Sequence, residues 1–70
     1  YQMHSQEEIK KILDYGMITR SIIESEVSAR KCQMYSQMAQ DKDVKAFFQK
    51  QANSLEEVTE FFKSKLSEVM

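Results

Sequence analysis

Proline and tryptophan are absent from the sequence, and glycine, cysteine and histidine each occur once among its 70 residues. Each scarcity excludes something. A single cysteine rules out an internal disulfide framework and a cysteine-rich zinc site. A single histidine, His4, leaves no material for a His-based triad or a histidine acid–base pair. One glycine cannot build a glycine-rich phosphate loop. Without proline, and with so little glycine, the turns of an all-β fold cannot be supplied. Ten basic and eleven acidic side chains sum to a net charge of −1. The chain therefore carries neither the basic footprint of a nucleic-acid binder nor a polyacidic tail. No apolar run approaches the ~18 residues of a membrane span, and no signal-peptide pattern stands at the N-terminus. What is left reads as a soluble, cytoplasmic helical module. Its start at Tyr1 rather than methionine fits a domain cut from a longer protein.

What is present is helical periodicity interrupted once. Ser5-Gln6-Glu7-Glu8 has the form of a capping box, with acidic residues at the positive end of the helix dipole. Ile9, Ile12, Leu13, Ile23, Val27, Met34 and Met38 then recur at helical spacing. Asp41-Lys42-Asp43 is the next punctuation, with Asp41 suited to an N-cap. Beyond it Val44, Phe48, Leu55, Val58, Phe62, Leu66 and Val69 form a second series. The pattern predicts a single all-α domain over residues 1–70: an antiparallel hairpin with one helix over 5–39 and another over 42–69. Gly16 is the weak point of the first helix, a place for a kink, a break or the close approach of a partner helix, but the apolar period continues across it and the expectation is an uninterrupted helix.

The two helices differ in their faces. The second is cleanly amphipathic, with Lys50, Glu56, Glu57, Glu60, Lys63, Ser64 and Ser67 opposite its apolar series. The first carries, besides its main stripe, a second one of Tyr15, Ile18, Ile22 and Ala29, well over a quarter turn away. One partner helix cannot cover both. With the main stripe taken by the hairpin, Tyr15, Ile18, Ile22 and Ala29 are the expected association surface, and Phe47 and Phe61 are expected to rim it. Pairing of two hairpins into a four-helix bundle would bury the surplus and stabilise so short a chain. A homodimer, or docking to another protein, is thus the expected mode of action; nucleic acid and membrane are not expected partners.

Few residues could carry chemistry. Glu26 falls between the two stripes, four residues from Arg30, so an ion pair and a metal ligand are the two readings for it. Glu57 and Glu60 share an i,i+3 spacing but lie on the polar side of their helix, as does Glu24 on the first. His4 precedes the first helix. Cys32 sits among Ser25, Ala29, Ser36 and Ala39, where a small packing residue is expected. Met17, Met34 and Met38 read as adaptable fillers.

The run Glu26-Val27-Ser28-Ala29-Arg30, followed by Tyr35, Ala39 and Phe48-Gln49-Lys50-Gln51-Ala52, resembles the rubrerythrin branch of ferritin-like proteins across about residues 20–62. That resemblance implies a helical bundle with two irons held between carboxylates, acting on peroxide or storing iron. Leu55 and Val58 stand where the family's second-helix Glu and His would fall. The expectation is accordingly a non-enzymatic association module of ferritin-like architecture, with no catalytic residues, no cofactor and an incomplete metal site. The alternative is a carboxylate site for iron or another divalent metal, formed across a dimer with Glu26 as ligand.

Overall fold

Two caps set where the chain turns helical and where it stops. In the computed structural model, which describes residues 5–69, α1 spans Gln6–Met38 and α2 spans Lys42–Val69. Ser5 has extended backbone angles, and its Oγ accepts from the Glu8 amide at 3.2 Å. Glu7 and Glu8 occupy the first turn, where the helix dipole favours them. At the other end Ala39 returns to extended geometry while its N–H still donates to the Tyr35 carbonyl at 2.9 Å. Asp41 Oδ1 then accepts from the amides of Asp43 and Val44, at 2.8 and 3.0 Å, and starts α2. Gly16 does not end α1, which runs through it without a positive φ. At that position a glycine costs a helix roughly 0.5–1 kcal/mol relative to alanine.

The short connection folds the helices back antiparallel. At the turn the Ser36 hydroxyl donates to the Lys45 carbonyl at 3.2 Å, and at the open end the Tyr15 hydroxyl donates to the Val69 carbonyl. Between these points the contact is made of small residues. Ser25, Ala29, Ala52 and Thr59 are the buried positions among the described residues, with Ala52 fully enclosed. Thr59 donates to Ser25 Oγ across the seam at 2.6 Å, and Ser25 donates onward to the Ser21 carbonyl at 2.8 Å. This chain of hydroxyls satisfies both buried polar groups without water. Along the seam Ile18, Ile22, Cys32 and Ser36 of α1 are half-buried, as are Phe48, Leu55, Phe62 and Leu66 of α2. The small residues meet at the centre of the contact, Thr59 on Ser25, and larger side chains border it, Phe48 meeting Tyr35 with ring centroids 5.3 Å apart.

That packing reverses the expected roles of the α1 stripes. Tyr15, Ile18, Ile22 and Ala29, expected as the outer association surface, lie on the α2 side, and Ala29 is 4% exposed. The main stripe is the one left outside: Leu13 is 61% exposed, Ile23 57% and Met38 68%. The physical reason is closeness of approach. Ser21, Ser25, Ala29, Cys32 and Ser36, stepping by three or four residues, leave room for α2 over most of that face, whereas the opposite stripe is made of Ile, Leu, Val and Met. On α2, Val44 and Val58 are likewise more exposed than their expected core placement implies.

The result is a rod of 59 × 21 × 11 Å with a radius of gyration of 17.0 Å. A compact 70-residue domain would have about 11 Å. Enlarging the seam should therefore be costly: Ala52→Leu is expected to lower stability by about 1–3 kcal/mol in thermal melts at fixed protein concentration. An unchanged or raised melting temperature would contradict the close seam.

Candidate functional site

Two features of the surface stand out, an uncovered apolar face and a charged strip beside it. At about 100° per residue, the outward stripe of α1 lies on nearly the opposite side of the helix from its α2-facing groove. Ile9, Ile12, Leu13, Ile23, Val27, Met34 and Met38 are all exposed along it. On α2, Phe47 is 56% and Phe61 73% exposed, the latter the most solvent-facing large apolar residue described. Phe47 stacks edge-on against Phe48, with centroids 5.4 Å apart, and Phe48 in turn meets Tyr35 at 5.3 Å. Phe47 is therefore braced from below while its outer face stays open. Phe47 and Phe61 stand on a rim of α2, separate from the four α1 residues with which they were grouped.

The chain exposes 6006 Å² in all. A compact monomer of 8.3 kDa would expose about 4,600 Å². The surplus, about 1,400 Å², exceeds the about 800 Å² that each partner buries in a standard interface. No single hydrophobic residue on a surface requires explanation, but a continuous row along one helix does.

Glu26 sits at the edge between the two faces of α1, its side chain 34% exposed. Its partner is not chiefly Arg30, which approaches only to 3.8 Å with its side chain 73% exposed. Lys63, from α2, reaches Glu26 Oε1 at 3.1 Å and also lies 3.7 Å from Glu60. Spacing along one helix could not reveal this pair, because it crosses the seam. Nearby Gln33 donates to Glu56 at 2.7 Å, a second cross-helix link on the same side. These groups line an open groove of about 850 Å³ together with Asn53 and Glu57. Its chemistry is that of ion pairs: the Glu26 carboxylate is engaged by an ammonium. Among the described residues no three His, Cys, Asp or Glu side chains converge as metal ligands would. The donors around Glu26 do not fit a diiron centre. Cys32 is half-buried beside the seam, and His4 lies outside the described residues. No helix among the described residues is long and apolar enough to cross a membrane.

No family model, no curated protein and no solved structure matches this chain.

The Glu26–Lys63 contact has a titratable signature. Hydrogen bonding to Glu26, then its charge and that of Glu60, raise the Lys63 ammonium above its ordinary 10.5. A group raised in the folded state contributes fully below its unfolded value and loses that contribution as pH climbs through the folded one. The Lys63 contribution is accordingly complete below pH 10.5 and fades above it. Carbon-13 NMR titration should find Lys63 above the ordinary lysine value of 10.5, and Glu26→Gln should bring it down. A Lys63 unaffected by that substitution would place Glu26 elsewhere.

Proposed function

We propose that the chain is a non-enzymatic self-association module: a helical hairpin whose outward α1 face pairs with a second copy to make a four-helix assembly. The supporting observation is the row from Ile9 to Met38, large apolar residues exposed along one side of a helix already occupied on the other. A hairpin whose fully buried residues are Ala, Ser and Thr gains little from apolar burial within one chain. Burial between chains would supply the remainder, with stability dependent on protein concentration. Because the two faces of α1 are nearly opposite, α1 becomes the inner layer of such an assembly and α2 the outer one. The ferritin-like resemblance fits a four-helix arrangement, but here the layer facing α1 is built of Leu55, Thr59 and Phe62 rather than ligands.

Light scattering with metal analysis on the same peak tests this reading. The expected mass is twice the 8.3 kDa of the chain, without stoichiometric metal. Ile23→Asp, which sets a charge in the middle of the outward row, is expected to return the mass to that of one chain while the helical content survives. A dimer unaffected by Ile23→Asp would remove this face from the account. One or two metal ions per dimer, lost on Glu26→Ala, would replace it with the carboxylate metal-binding alternative.

A further inference from the structure

The outward face of α1 contains a regular ladder with one gap in it. Ile9, Leu13, Gly16, Arg20, Ile23, Val27, Arg30 and Met34 follow one another by alternate steps of four and three residues. All eight are exposed. Such spacing is that of the seam along which one helix packs lengthwise on another. Gly16 is the rung without a side chain. A Cβ built there would meet nothing within 4 Å, and its backbone has no positive φ. Nothing inside the chain therefore calls for glycine, although the helix is weakened by it.

The order of residues on the ladder decides the direction of the partner. Its spacing reads the same from either end. Against a second copy running parallel and in register, Gly16 would face Gly16, Arg20 would face Arg20 and Arg30 would face Arg30. That leaves one void and two rungs of facing like charge. Reversed, the rungs pair Ile9 with Met34, Leu13 with Arg30, Gly16 with Val27 and Arg20 with Ile23. Each small or charged rung then meets a large apolar one. The arginine stems lie along apolar surface with their guanidinium groups at the edge. Arg20 of each copy also comes alongside Glu24 of the other, since a two-fold axis across the helices keeps both on one side.

We infer that a second copy of the chain packs its α1 antiparallel on this ladder, centred between Arg20 and Ile23, with Gly16 of each copy receiving Val27 of the other. This rests on the self-association reading and adds to it the direction, register and point of closest approach.

Cysteine cross-linking tests it, in a Cys32→Ser background with oxidised glutathione as oxidant. A disulfide requires Cα atoms within about 7 Å. Positions 16 and 27 of one helix are about 16 Å apart, so no bond closes within a chain. The chain carrying both Gly16→Cys and Val27→Cys is expected to give a covalent dimer on non-reducing gels, and each single variant none. Efficient cross-linking of Gly16→Cys alone would overturn the antiparallel register in favour of a parallel one. A dimer by light scattering that none of the three variants traps would overturn the register and leave self-association standing. A single-chain mass for the unsubstituted protein would overturn both. As a second readout, Gly16→Leu is expected to raise the dimer dissociation constant at least tenfold while leaving the isolated hairpin no less helical; an unchanged constant would contradict close approach at this rung.

Discussion

The structure depends on how closely two long helices approach one another. Across the seam stand Ser25, Ala29, Ala52 and Thr59, none with a side chain longer than that of threonine. Closeness of this kind favours dispersion contacts and a tight hydroxyl chain from Thr59 through Ser25 to Ser21. It also limits what can be buried. No large side chain is fully enclosed among the described residues, and those bordering the seam are only half covered. The closeness that holds α1 to α2 is thus what sends the bulk of the apolar residues of α1 to the other side.

Several features follow from that division. α1 is apolar on two nearly opposite sides. α2 covers one side of it, and Phe48, Leu55, Phe62 and Leu66 are half-buried there. Polar links between the helices, Lys63 to Glu26 and Gln33 to Glu56, run along one flank without adding a buried charge. Glu26 in this setting is held by a lysine from the neighbouring helix.

Much of the architecture was legible in the order of residues. The caps at Ser5 and Asp41 are local chemistry, and local chemistry can be read from spacing. The helical period carried through Gly16 because the apolar residues on either side keep one phase. The choice of stripe was not legible. Ranking faces by hydrophobicity puts Ile23, Val27 and Met34 inward, whereas the fit between two helices depends on the shape of both surfaces together. Ser25 and Thr59 were overlooked as core residues for the same reason: each is polar alone, and becomes a buried partner only through the other. The Lys63 link to Glu26 likewise joins residues far apart in sequence.

The central claim is that the outward face of α1 is covered in solution, and the methyl groups report on that directly. Ile22 and Ile23 are adjacent in sequence, one half-buried against α2 and the other 57% exposed on the hairpin. Methyl NMR with a soluble gadolinium chelate compares their access to solvent in one sample. If the face is paired, the Ile23 methyls will be shielded as well as those of Ile22, and dilution will open Ile23 alone. Ile23 methyls relaxed as strongly as those of a freely exposed side chain, at every concentration, would contradict the account.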